Sequence, residues 1–154
     1  MQHNFNVQKV TWQTHAAQLK AVREQVFIIE QQVPIDLEWD GLDETAQHLL
    51  ALNEAGKVVG CTRLLRDGSI GRMAVLKLSR GLGVGTALLN MAITHYQQQG
   101  IKTITLSAQV HAIPFYEKAG FKVCSKPYLD ANILHVDMRL KWTLNSETCS
   151  EYMQ

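Results

Sequence analysis

The stretch Arg80-Gly81-Leu82-Gly83-Val84-Gly85-Thr86 decides how this chain of 154 residues is read. It follows a strand-like run, residues 69–76, and opens a segment, residues 84–99, in which Leu88, Leu89, Ala92, Ile93 and Tyr96 recur at helical spacing. Glycines at such a turn leave backbone N–H groups unshielded by Cβ atoms. Those donors, with the positive end of the helix, bind a phosphate or pyrophosphate. A tight turn without a ligand would use the same residues, so the loop alone fixes no function. Two phosphate-binding patterns are excluded. A dinucleotide fingerprint needs a small residue three positions after its second glycine. Counted from Gly81 and Gly83 that position is Thr86, and from Gly83 and Gly85 it is Leu88. A P-loop ends in Gly-Lys-Ser/Thr, and here Thr86 follows Gly85 directly.

Working upstream, residues 69–76, 58–66 and 48–53 read as strands. Asp67-Gly68 and the turn Glu54-Ala55-Gly56-Lys57 join them into an antiparallel meander. The acidic run Asp36, Glu38, Asp40, Asp43 and Glu44 reads as an exposed loop. Before it, Leu19, Val22, Val26 and Ile29 form one apolar stripe of a helix over 14–31, closed by Pro34. Residues 4–11 suit an edge strand. Downstream, Gly100 stops the long helix and 103–109 is a strand. A short helix over 111–118 carries Pro114 in its first turn, where proline is tolerated. Residues 121–125 and 133–140 are strands, with Asp130-Ala131-Asn132 as a turn. The order is β-α-β-β-β-α-β-α-β-β, a mixed α/β class with an antiparallel first half. A single domain is expected over 1–142, followed by a polar tail at 143–154.

Composition narrows the partners. Apolar residues make up 46% and charged residues 19%, a globular profile. Fifteen Lys and Arg face 14 Asp and Glu. This balance gives no electrostatic reason to expect nucleic acid or an anionic membrane. No apolar run of about 18 residues is present to span a bilayer. The polar start has no signal-peptide pattern, so a cytoplasmic protein is expected. Cys61, Cys124 and Cys149 are odd in number and widely spaced, which argues against a disulfide framework and a zinc site. Cys61 and Cys124 fall in apolar strand patterns, where cysteine acts as a small hydrophobe. No metal is expected.

Arg80, Gly83 and Gly85 match the pyrophosphate motif of the GCN5-related N-acetyltransferase superfamily: Arg or Gln, two residues, Gly, any residue, then Gly or Ala. The run Ala112-Ile113-Pro114-Phe115-Tyr116-Glu117-Lys118-Ala119-Gly120-Phe121 resembles that family's A-x-x-F-Y-x-K-x-G-F helix. The two motifs stand one helix and one strand apart. Val26-Phe27-Ile28-Ile29-Glu30-Gln31, Pro34 and the acidic run resemble a bacterial subgroup of the ElaA and YjcF type. Residues 130–138, with His135 among them, resemble it too.

The resemblance implies a mostly antiparallel central sheet, splayed at a parallel strand pair, with helices on both faces. It implies an acetyltransferase using acetyl-coenzyme A as co-substrate. Arg80, Gly81, Leu82, Gly83, Val84, Gly85 and Thr86 would hold the pyrophosphate. The backbone of Met73, Ala74 and Val75, in a bulged strand, would meet the pantetheine, with a Val75 N–H polarising the thioester carbonyl. Tyr116 would protonate the departing sulfur, with Phe115 beside it. Gln109 would bond the pantetheine or brace the cleft. The acceptor would be a primary amine, attacking directly in a ternary complex.

An alkylamine must lose a proton before it attacks. Glu30, Glu38, Asp40, Asp43, His48, His111 and His135 are candidate bases, beside a water relay or free amine drawn from bulk. Glu30, Asp40, Asp43 and His135 are also candidate acceptor contacts, and the acidic run would draw a cationic acceptor. A protein that senses acyl-coenzyme A without turning it over would keep the loop, but retention of Tyr116 argues for turnover. Relatives that pair through exposed strand edges make a homodimer an expectation.

Overall fold

The computed structural model describes residues 4–142. The tail at 143–154 and Cys149 lie outside the described residues. Contacts divide the chain into two compact units, Met1–Ala92 and Ile93–Gln154, with the division inside one continuous helix.

In the first unit, β1 (Asn6–Val10), β2 (Gln47–Leu52), β3 (Val58–Leu64) and β4 (Ser69–Val75) pair antiparallel in chain order. The helix α1 (Trp12–Arg23) starts where Thr11 accepts the N–H of Thr14 and Thr14 caps back on Thr11. Its apolar stripe buries Leu19 and Val22 with Val10, Val26, Leu50, Cys61 and Ala74. The helix expected to run unbroken over 14–31 instead widens into π-helical turns at Glu24–Glu30. The bond from the Gln31 N–H to the Val26 carbonyl shows the wider spacing. The acidic segment also departs from expectation. Ile35–Glu38 is a helical turn, α2, and Glu38 and Asp43 are buried rather than exposed.

Strand β4 is bulged. Cys61 pairs with Ala74 and Arg63 with Gly71, so Arg72 and Met73 together face Thr62. Arg72 has φ +48°, a left-handed conformation that costs a non-glycine residue on the order of 1 kcal/mol or more. Thr62 Oγ1 donates to the Gly71 carbonyl at 2.9 Å, which satisfies an acceptor next to the bulge. After β4 the chain makes a 3-10 turn (Lys77–Ser79) and the glycine loop, then enters α3 (Val84–Gln98). Gly60 in β3 lets α3 approach closely. A Cβ there would meet Val84 Cγ1 at 3.0 Å and Leu88 Cδ1 at 3.2 Å.

In the second unit, β5 (Thr103–Gln109) pairs antiparallel with β8 (Ile133–Lys141), and β8 also pairs with β6 (Lys122–Val123). A strand missed in the sequence, β7 (Tyr128–Asp130), forms a hairpin with β8. Its two-residue turn is Ala131-Asn132, both at positive φ. Between β5 and β6 lie a 3-10 turn (Val110–Ala112) and α4 (Ile113–Lys118). Ile104, Leu106, Ala108, Val136 and Met138 are buried on one face of the β5–β8 pair. Register and alternation put Ser107, Gln109, His135 and Asp137 on the other. Cys124 is exposed, against the expectation of a small buried hydrophobe, as are Lys122 and Val123 of β6 before it.

Candidate active site

The site residues of the first unit begin with the glycine loop. Gly81 and Gly83 have φ +78° and +95°, which a side chain rarely adopts, and nothing lies within 4 Å of where a Cβ would stand. The loop backbone is therefore bare. It runs into the first turn of α3, whose N–H groups have no acceptor within the helix. This chemistry fits an anionic, phosphate-bearing ligand. Val84 is buried, whereas Gly81, Leu82, Gly83 and Thr86 are exposed and Gly85 is partly so.

Arg80 is already held. Its Nε donates to the Val75 carbonyl at 2.9 Å. Nη1 and Nη2 form a fork on Glu30, at 2.6 and 2.7 Å. The hydrogen bond from Arg80 lowers the Glu30 carboxyl below its ordinary value. Glu30, expected as an acceptor contact or a base, thus belongs with the loop arginine. The signal for this pairing was absent from the sequence, since the residues stand far apart. Of the bulge residues, Ala74 is buried, while Met73 and Val75 are partly buried.

The carboxylates expected to face an acceptor are bound to arginines. Arg23, 1% exposed, donates from Nε to Glu38 at 2.7 Å and from Nη1 to Asp43 at 2.6 Å. Its guanidinium lies 5.0 Å from the Trp39 ring centre and 5.7 Å from that of Trp12. Arg63 pairs with Asp40 at 2.8 Å and with Asp43 at 3.1 Å. Arg72 pairs with Glu38 at 3.2 Å and Asp40 at 3.1 Å, and also donates to the carbonyls of Leu37 and Glu38. Three carboxylates meet three guanidiniums, so the cluster has no net charge to draw a cation. Burial pushes the Glu38 carboxyl up against the pull of Arg72 and Arg23. Burial also raises Asp40, but hydrogen bonds from Arg63 and the Leu42 N–H outweigh it and hold the carboxyl at about 2. His48 spends Nε2 on the Asp43 carbonyl at 2.9 Å, and burial pushes its imidazole down. The thiol of Cys61, wholly buried, is pushed up to about 12 and is unsuited to nucleophilic work.

In the second unit, Tyr116 stands on α4, edge-on to Phe115 and Phe121 at 5.0 and 6.0 Å. Burial pushes its phenol up to about 12, so the hydroxyl keeps its proton at neutral pH. Gln109 closes β5 opposite His135. His135 is buried, with Nδ1 2.7 Å from the Ile133 carbonyl and its ring stacked on Tyr128. Tyr128, which no sequence signal singled out, donates to Asp137 at 2.6 Å and is also bonded to Ser107. His111 is exposed on the 3-10 turn. Among the described residues, no group of three or more His, Cys, Asp or Glu could hold a metal ion, and no helix is long and apolar enough to cross a membrane.

Asp43→Asn leaves two buried guanidiniums short of charge and is expected to destabilise the protein by about 3 kcal/mol or more, read by urea unfolding. Asp40 contributes to the acid side of the pH dependence. Its folded value of about 2 lies below its ordinary 3.8, so its stabilisation is complete above the latter and disappears as pH falls through the former. Asp40→Asn should flatten the stability curve in that window, and an unchanged acid limb would mean that Asp40 does not carry it.

The fold and the loop can now be set beside known proteins. The model of the acetyltransferase (GNAT) domain family matches residues 12–142. The uncharacterised N-acetyltransferase YjcF of Bacillus subtilis is 38% identical over 121 residues, 76% of this chain and 86% of its own. An acyl-CoA N-acyltransferase from Pseudomonas aeruginosa superposes with a TM-score of 0.75 at 30% identity, covering 89% of this chain and 98% of its own. Escherichia coli ElaA gives a TM-score of 0.81 at 25% identity, covering 90% and 100%. The matched span holds the bulged strand, the glycine loop and the Tyr116 helix, and this chain belongs to the GNAT acetyltransferase family, in an ElaA- and YjcF-like subgroup.

Proposed function

We propose that this protein transfers an acetyl group from acetyl-coenzyme A to a primary amine, by direct attack in a ternary complex. The observation that carries the reading is the run from bulge to helix. An arginine already fixed in place, two bare left-handed glycines and the start of a helix follow one another along a single stretch of chain. In this reaction the backbone of Leu82 to Thr86 takes the pyrophosphate, with Arg80 adding charge. The bulge redirects backbone groups of Met73, Ala74 and Val75, and the Val75 N–H stabilises the oxyanion.

Tyr116 acts at the sulfur. Burial keeps the phenol protonated at neutral pH, so its hydroxyl can donate to the sulfur as negative charge develops and protonate the departing thiolate. Acetyl is the transferred group on the family's precedent. On the same precedent the protein acts in the cytoplasm and as a homodimer.

Two outcomes are expected. Tyr116→Phe should lower turnover at least about tenfold and leave coenzyme A affinity unchanged, measured by thiol release and by calorimetry. Equal turnover would remove Tyr116 from the chemistry. Glu30→Gln keeps an acceptor for Arg80 but deletes a negative charge beside the anion site. It should tighten coenzyme A binding several-fold at low salt, by an amount that shrinks as salt rises. Weaker binding would mean that the carboxylate is needed to position Arg80.

A further inference from the structure

An alkylammonium must lose a proton before it attacks, and the geometry points to His135 as the group that deprotonates the amine acceptor, through Nε2. This inference rests on the proposed acetyl transfer and adds the residue that makes the acceptor nucleophilic.

A carbonyl oxygen only accepts hydrogen bonds. The 2.7 Å contact between His135 Nδ1 and the Ile133 carbonyl therefore places the ring proton on Nδ1. In the neutral ring the lone pair is then on Nε2, which has no protein partner among the described residues. The ring is 9% exposed, so it is held by packing rather than free in solvent. Tyr128 stacks on it at 6.1 Å between centres and 19° between planes. Tyr128 is itself fixed by Asp137 and Ser107. The result is an imidazole with one fixed tautomer, one fixed plane and one available basic nitrogen.

The other candidates lack one of these properties. Glu30, Asp40 and Asp43 are bound to guanidiniums, and Glu38 is buried between two of them. His48 has Nε2 on a carbonyl. His111 is exposed, and among the described residues no hydrogen bond orients its ring. Position agrees with the assignment. His135 is the register partner of Gln109, the last residue of β5, and Tyr116 follows seven residues later on α4. Helical rise puts the Tyr116 backbone within about 12 Å of Gln109.

The step balances as follows. Nε2 takes a proton from the ammonium, and the amine lone pair forms a bond to the thioester carbon. The tetrahedral adduct expels the thiolate as the C–S bond breaks. Nitrogen loses its second proton, the thiolate gains one, and the imidazolium returns its proton to water. One proton is released per acetyl transferred from an ammonium.

His135→Asn tests the assignment, because the Asn amide can still donate to Ile133 while the basic nitrogen is gone. Acceptors are spermidine, phenethylamine and a lysine-containing peptide, with thiol release followed at neutral pH. The expected result is a loss on the order of 100-fold in kcat/KM, with coenzyme A affinity within about twofold of the wild type. Added imidazole should restore part of the loss in His135→Ala. A kcat/KM within about threefold of the wild type overturns the assignment and leaves the transferase reading standing. So does a loss that imidazole does not relieve and that coenzyme A affinity shares, which marks a structural role. A wild type that binds coenzyme A but acetylates none of these amines also overturns it. A wild type that does not bind coenzyme A overturns the transferase reading, and the base with it.

Discussion

Arg23 carries a full positive charge at 1% exposure, and the first unit is arranged around its neutralisation. A lone buried guanidinium would cost several kcal/mol. Glu38 and Asp43 supply the counter-charges, and two indole rings line the approaches. Those carboxylates are shared with Arg63 of β3 and Arg72 of β4. The network therefore ties α1, α2, the following loop and two strands to one another. Arg72 is where it meets the candidate site. Its backbone is in the left-handed region, and its side chain is fixed by two carboxylates and two carbonyls. The bulge that redirects β4 is held open by the same charges that hold α1 in place.

A second ion pair acts on the loop. Arg80 is tied to Glu30 and to the Val75 carbonyl, so the end of the π-helical turns, the end of β4 and the start of the glycine loop share one guanidinium. π-helical turns often occur where a helix has been altered for function. Here they carry Glu30 to Arg80. The arginine is preorganised, but by an anion that sits beside the proposed anion site. Affinity for a phosphate-bearing ligand then depends on how that carboxylate and the ligand divide the guanidinium between them.

Much of this was legible in the chain. The three strands before the loop follow from short apolar runs and from the turns Glu54-Ala55-Gly56-Lys57 and Asp67-Gly68, and α3 follows from its apolar spacing. The loop and the Tyr116 helix were legible because glycine geometry and aromatic spacing are local. What was not legible depends on partners distant in sequence. Glu38 and Asp43 look like solvated charges until Arg23 and Arg63 fold against them. Glu30 reads as an acceptor contact until Arg80 is beside it. Strand β7 is three residues long, too short for a period to show, and exists because Ala131-Asn132 turns it onto β8. Tyr128 matters through that pairing, so no linear pattern could single it out. Cys124 looked apolar from its neighbours, but β6 beside it is exposed along its whole length.

The claim on which the account depends is that the glycine loop holds the phosphates of coenzyme A. Calorimetric titration of the purified protein with acetyl-coenzyme A and coenzyme A, beside an Arg80→Ala/Gly83→Val double variant, tests it most directly. The account predicts binding at micromolar concentrations by the wild type and its loss in a variant that still folds. No binding by the wild type, or equal binding by the variant, would contradict it.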